Sequence, residues 1–325
     1  MNRSASIAVI LLLLAVLVVL LAFALAGPPF QPSTPSEQGS QVGSRSGGVS
    51  ISGMRLCVTS VSRDTTSITA VVSIENSFPV GVELKGGGLS LELNDIKFAS
   101  ASIPAGQKIS GSSTSNVVVK IRMNNQMVDD MWYSHLRRKE MSTFCVRGTV
   151  SVSTPIGTMD LPVRDCRTQE THIFPVDREL NKKKDLGPFG YVMIKRVRVE
   201  LSKVTPETTQ MRAHVWVENG AKFPLPVTNL ALKLKLQDGT VIAEGYQKGT
   251  VIIPKGESKE IVFDVSLHNS NLPEAWYLHM KNNEASEIKV EVQIYVKLNG
   301  NVYSWAVYSR TVNVKTDMFE HGGCG

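Results

Sequence analysis

The sequence predicts a mainly β protein: two tandem antiparallel β-sandwich domains, each of about seven strands and one helix, behind an apolar N-terminal segment. Three observations lead there. The chain matches itself, in order, at a nearly constant offset. Its repeated halves alternate apolar and polar residues, the period of a half-buried strand. Residues 7–26 are apolar without interruption.

That run, IAVILLLLAVLVVLLAFALA, is 20 residues long, the length of a bilayer-spanning helix. Arg3 precedes it and no Lys or Arg follows until Arg45. The positive-inside rule therefore places residues 1–6 in the cytoplasm and the rest outside. Ala24-Leu25-Ala26 before Gly27 also fits a signal-peptidase site, so a cleaved signal sequence is the competing reading. Residues 27–49 are rich in Pro, Ser, Gly and Gln and read as a flexible stalk.

The repeat sets the architecture. Trp132-Tyr133-Ser134-His135 matches Trp276-Tyr277-Leu278-His279 at an offset of 144, and the offset holds through Glu140 and Glu284 to Val163 and Val307. Upstream, Glu75-Asn76 matches Glu218-Asn219, and Phe78-Pro79 matches Phe223-Pro224. Pro104-Ala105-Gly106 matches Pro254-Lys255-Gly256 at 150, which assigns six extra residues to the first copy near 110–115. The copies span about 50–166 and 189–315; residues 167–188, with the run ELNKKKD, read as a linker, and 316–325 as a tail.

In the second copy Ile288, Val290, Val292, Ile294 and Val296 alternate with polar residues and lead to the hairpin signal Asn299-Gly300. Further strands fall at 210–217, 230–236 and 260–267, and in the first copy at 67–74, 89–93 and 116–123. A helix over 126–139 carries Met127 or Val128, Met131, Trp132, His135 and Leu136 at helical spacing. Asp129-Asp130 at its start and Arg137-Arg138-Lys139 at its end suit the macrodipole.

Four cysteines occur, at 57, 145, 166 and 324. Transferring the second copy's turn to Pro155-Ile156 sets Cys145 opposite Cys166 on a non-hydrogen-bonded pair, close enough for a disulfide on the outer face. Two free thiols, or a bulged turn that shifts the register by one, remain open. The counterparts under this register are Lys289 and Arg310. Cys324, in a Gly-rich tail, is placed to cross-link two chains.

Chemistry is hard to assemble. None of the six histidines is spaced as a metal ligand, and no nucleophile elbow, P-loop or dinucleotide fingerprint occurs. His135 and His279 are equivalent, yet no nucleophile or carboxylate is evident beside both, so they read as structural. The formal charge of +6 is interspersed with acids, which fits a solvated surface rather than nucleic-acid binding. No catalytic residue, cofactor or metal is expected.

Each copy runs strand, Glu-Asn, a Pro-containing bend, a long alternating strand, and later the Trp-Tyr-x-His helix before a last hairpin. This resembles the LEA14-like family, also called the WHy (water stress and hypersensitive response) domain. The second copy fits better, through Asn219, Pro224, Pro226 and Val227. The family commonly has Pro directly after the Asn, where Ser77 and Gly220 stand here. The resemblance implies a fibronectin III-like sandwich in which Asn76, Pro79, Asn219, Pro224, Pro226, Trp132 and Trp276 are structural. It also implies a non-enzymatic water-stress (desiccation or osmotic) protein, similar to exported archaeal versions with tandem copies behind one anchor. Expected partners are the membrane, through the N-terminal helix, and envelope proteins or a lipid surface. A cell-envelope adhesion or assembly module that uses the sandwiches as spacers is the alternative.

Overall fold

The computed structural model describes residues 49–154, 157–185, 187–227, 230–298 and 301–321. The apolar run at 7–26, both hairpin turns (Pro155-Ile156 and Asn299-Gly300) and Cys324 lie outside them. Among the described residues no helix is long and apolar enough to cross a membrane.

The chain is mainly β. The first copy comprises β1 (Val49–Val61), β2 (Thr65–Asn76), β3 (Val82–Leu93), β4 (Ile96–Ile103), β5 (Gln107–Ile109) and β6 (Ser113–Asn124). Helix α1 (Val128–Arg137), β7 (Met141–Thr154) and β8 (Gly157–Glu170) complete it. Strand β9 (Val176–Asp185) precedes the second copy: β10 (Tyr191–Val204), β11 (Thr208–Asn219), β12 (Leu225–Val227), β13 (Leu230–Leu236), β14 (Val241–Gln247), β15 (Val251–Ile253) and β16 (Ser258–His268). Then follow α2 (Leu272–Lys281), β17 (Ala285–Leu298), β18 (Asn301–Lys315) and the short β19 (Glu320–His321).

The two copies share one topology. The first sheet runs β1-β2-β6-β4-β3-β7-β8 and the second β10-β11-β16-β14-β13-β17-β18, element for element. The sandwich-like, half-barrel arrangement is therefore made in each copy by one continuous curled ladder. Alternation explains why: in β11, Thr209, Met211, Ala213, Val215, Val217 and Asn219 are buried and their neighbours are not. In the first copy Leu84, Ile109, Val117 and Val152, from four strands, form one apolar cluster under the curl.

Three expectations from the sequence are corrected. First, residues 167–188 are not a plain linker: β8 runs to Glu170, and β9 pairs antiparallel with the edge of β10. A charged run such as ELNKKKD makes a poor core strand but a good edge, where Lys discourages further pairing. Second, the first copy has no six-residue insertion near 110–115. Ile109 pairs with Val82 as Ile253 pairs with Leu225, so these isoleucines correspond at an offset of 144. Pro104-Ala105-Gly106 and Pro254-Lys255-Gly256 thus lie in different turns, the first before β5 and the second after β15. Third, β18 holds one extra residue. A bulge between Val292 and Gln293 shifts the hairpin so that Lys289 faces Thr311, not Arg310.

The tail 316–325 also carries structure. Strand β19 pairs in parallel with β1, through Cys57↔Glu320 and Val58↔His321, and Phe319 is buried. Compact units accordingly do not follow the boundaries of the copies. Among the described residues, one unit gathers 132–140 and 170–316, the other 49–131, 141–169 and 317–321.

Candidate functional site

The residues singled out in the sequence sit in duplicated polar braces. Asn76 and Asn219 are buried at the ends of β2 and β11. Each accepts the amide N–H two residues on at its Oδ1, Phe78 at 3.0 Å and Ala221 at 2.9 Å. Each also donates from Nδ2 to a carbonyl four residues on, Val80 at 3.0 Å and Phe223 at 2.9 Å, and across to Ser110 or Ile253. An asparagine fits because only its side chain offers a donor pair and an acceptor on so short a stem. Pro79, Pro224 and Pro226 are exposed along these bends.

Helix α1 ends at Arg137, two residues before the sequence predicts, because Lys139 and Glu140 take left-handed conformations (φ 55° and 64°). Asn283 and Glu284 do the same after α2, at 54° and 59°. Each turn aims a Glu inward. Glu140 is 7% exposed and Glu284 0%. Glu140 accepts the amide N–H groups of Ile173 and, at 2.9 Å, of Phe174, and the Thr171 hydroxyl at 3.2 Å. Glu284 accepts the Thr316 hydroxyl at 2.7 Å.

The histidines complete these clusters. His135 Nε2 lies 2.8 Å from Thr171 Oγ1, and His279 Nε2 lies 2.8 Å from Thr316 Oγ1. His, a hydroxyl and a carboxylate thus occur together twice, which the sequence did not reveal. Thr171 and Thr316 correspond at 145, past the extra residue in β18, and so fall off the offset of 144.

The wiring is not that of a nucleophile triad. There the carboxylate braces the imidazole, which takes the hydroxyl proton. Here each hydroxyl donates a hydrogen bond to the carboxylate and accepts one from Nε2–H, so the imidazole is the donor. His135 is fully buried, and burial lowers its pKa from 6.5 to about 4.

Trp132 is fully buried and donates from Nε1 to Thr209 Oγ1 at 2.9 Å. Thr209 donates in turn to Asn269 Oδ1 at 2.8 Å. The first copy repeats this pair as Thr66 and Asn125, at 2.9 Å. Trp276 is 5% exposed.

Cys145 and Cys166 form a disulfide with Cα atoms 4.1 Å apart, joining β7 to the exposed edge strand β8. Cys57 is disulfide-bonded as well. Among the described residues no His, Cys, Asp and Glu group forms a metal-holding cluster.

With the buried polar groups turned to the framework, the outward sheet faces remain. On the first copy a trough of about 910 Å³ crosses β2, β6, β4, β3 and β7. One cross-strand row through it reads Ser67, Arg122, Ser100, Ser90, Arg147. The next row holds Thr69, Lys120 and Ser102, and Lys97 stands beyond. Arg147 pairs with Glu92 at 3.5 Å. Gly148, at φ 156°, forms part of the lining; a Cβ there would come within 2.0 Å of Gly88 O.

The equivalent row of the second copy reads Gln210, Ser266, Glu244, Lys233, Glu291, and the next holds Arg212, Asp264 and Tyr246. Most of its acids are matched in place: Arg212 with Asp264 at 3.5 Å, Lys235 with Glu291 at 2.7 Å, Lys289 with Glu291 at 2.7 Å. Two copies of one ladder thus present a basic and a balanced face.

The comparisons agree with the duplication. The model of the late embryogenesis abundant protein family (LEA_2) matches residues 71–166 and again 214–318, more than half of the chain. The chain belongs to this family. The family is generally non-enzymatic. No curated protein matches. Among solved structures, a protein from Archaeoglobus fulgidus is 23% identical, with a TM-score of 0.31, covering 38% of this chain and 98% of that one. A putative beta-galactosidase from Bacteroides fragilis is 10% identical, with a TM-score of 0.23, covering 81% of this chain and 34% of its own.

Proposed function

We propose that this chain is a membrane-anchored, extracytoplasmic protein of the LEA14-like (WHy) type that protects against desiccation or osmotic stress by binding, without catalysis. The observation that carries this reading is the closure of the duplicated His–Thr–Glu clusters. The groups that resemble a reaction centre are buried and hydrogen-bonded to one another in an order that activates no nucleophile. Family membership favours the stress role. Disulfide-bonded cysteines suit an oxidising compartment. The apolar run at 7–26, with Arg3 before it, favours a single-pass anchor with the N-terminus in the cytoplasm.

The test is a deletion strain challenged by drying and by osmotic shock, beside a drying assay in which the full-length protein protects a desiccation-sensitive test enzyme. Loss of viability on deletion, restored by the gene, is expected. Unchanged viability, together with stable co-purification of one envelope protein, would instead favour the assembly-module reading. Sequencing of the mature N-terminus tests the anchor: a start at Met1 is expected, and a start at Gly27 would refute it.

A further inference from the structure

The outward face of the first copy carries more cations than its acids pair. Lys97, Lys120 and Arg122 are exposed and line the trough. None of the three is in a salt bridge among the described residues, whereas Arg147 shares Glu92 and, at 4.0 Å, Asp95. At the positions of Lys120, Arg122 and Arg147 the second copy has Asp264, Ser266 and Glu291. There every acid of the two rows except Glu244 meets a cation within 4 Å. A solvated surface needs no such imbalance, since the same ladder carries a balanced face one copy later.

We propose that this trough binds a linear, anionic polysaccharide. The charge calls for an anion. Its spacing calls for an extended one: Lys120 and Arg122 are two residues apart on one strand, roughly 7 Å, and Arg122 and Arg147 are three strand spacings apart, roughly 14 Å. The lining chooses among extended anions. Between the cations stand hydroxyls, Ser67, Thr69, Ser100 and Ser102, which both donate and accept hydrogen bonds. A glycan bearing carboxylates or sulfates offers hydroxyls as well as charge, whereas polyphosphate offers acceptors alone. No aromatic residue lines the trough, so it lacks the platform on which single-stranded nucleic acid stacks. A concave groove also suits a chain better than the plane of a bilayer. The face of the second copy, with all but one acid of its two rows already paired, is not a complementary surface, which argues against self-association through this trough.

This binding stands apart from the stress role, and its test reads the face directly. Full-length protein in detergent is titrated with a labelled polyuronate, a sulfated glycan, neutral dextran, linear polyphosphate and phosphatidylserine vesicles, at several salt concentrations. Binding to one or both acidic glycans is expected, weakening steeply with salt and absent for dextran. The variant Lys120→Asp/Arg122→Ser installs residues that the second copy already accommodates at these positions. It should fold, as circular dichroism checks, and lose at least about tenfold in affinity, the size expected when two close cation contacts to a polyanion are removed. A control, Lys182→Asp/Lys184→Ser on the exposed edge strand β9, makes the same charge change elsewhere and should stay within about twofold. Equal losses in both variants would show general attraction to a basic protein and overturn the proposal. So would no loss in the first variant, or tighter binding to polyphosphate or to vesicles than to either glycan.

Discussion

The two copies differ where they meet solvent and agree where they are buried. Strand order, the bend asparagines, the Thr–Asn pairs and the His–Thr–Glu clusters are duplicated. The disulfide between the last two strands, the direction of the strand added at the first edge (parallel β19, antiparallel β9) and the charge of the outward row are not. Duplicated features are therefore the conditions of the fold, and unduplicated ones are where the copies have acquired separate tasks. The largest test of that division is the buried carboxylate. Glu140→Ala removes the acceptor of two backbone N–H groups and a hydroxyl. At about 1.5–3 kcal/mol for each bond to a charged group, the three bonds together put the destabilisation at about 4.5 kcal/mol or more in urea unfolding. Glu284→Ala removes the acceptor of the Thr316 hydroxyl and should cost at least about 1.5 kcal/mol. If one costs less than about 1 kcal/mol, the clusters are not equivalent braces.

The second test is titration. His135 is held neutral by burial, with its pKa lowered from 6.5 to about 4. Between those values the unfolded imidazole binds a proton and the folded one does not. Stability present above pH 6.5 is therefore lost as pH falls toward 4, by about 3 kcal/mol in all, and no further below. His135→Gln keeps an N–H donor for Thr171 and should remove this part of the pH dependence. An unchanged pH profile in that variant would mean that another group carries it.

Much of this was readable in the sequence, for physical reasons that also mark the limits. The copies and their central strands announce themselves because half-buried strands must alternate: β13 has the predicted bounds, Leu230–Leu236, and β11 extends the predicted 210–217 at each end. Edge strands obey no such rule. Strand β9 is nearly all exposed and charged, and β19 is two residues of tail, so neither has a pattern to find. The hydroxyl of each His–Thr–Glu cluster was hidden by the bulge in β18, which moves Thr316 off the repeat offset by one. The carboxylate had a usable signal. An acid just after a helix C-terminus opposes the helix dipole, and finding it twice, at 140 and 284, marks a position with a partner to serve.

The third test concerns a difference between copies. Strand β8 is almost wholly exposed and is tied to β7 by Cys145–Cys166, a separation of 21 residues. Closing a loop of that size is worth about 3 kcal/mol in chain entropy. Cys145→Ser/Cys166→Ser should lose about that much and speed hydrogen exchange along β8, with little change in β17 and β18. Equal loosening of both hairpins would mean that the copies do not unfold independently. A disulfide introduced at Lys289→Cys/Thr311→Cys, residues that face each other across the second hairpin, should slow exchange along β18 and leave β8 unchanged.

The smallest expected effect is the most exacting for the claim that polar braces are framework. Trp132→Phe keeps an aromatic ring in the fully buried site but removes the indole donor to Thr209. Thr209 still donates to Asn269, so no buried donor is left without an acceptor, and the cost should stay near 1 kcal/mol rather than the larger penalty of an unsatisfied group. Thr209→Val removes both bonds and leaves Asn269 Oδ1 without this donor, so it should cost about 2–3 kcal/mol. In the double variant the two losses should fall short of additive by about 1 kcal/mol, the coupling of the single bond they share. A coupling near zero would show that the tryptophan is held by packing alone. The duplicated Thr–Asn pair would then be the brace, and the tryptophan only its cover.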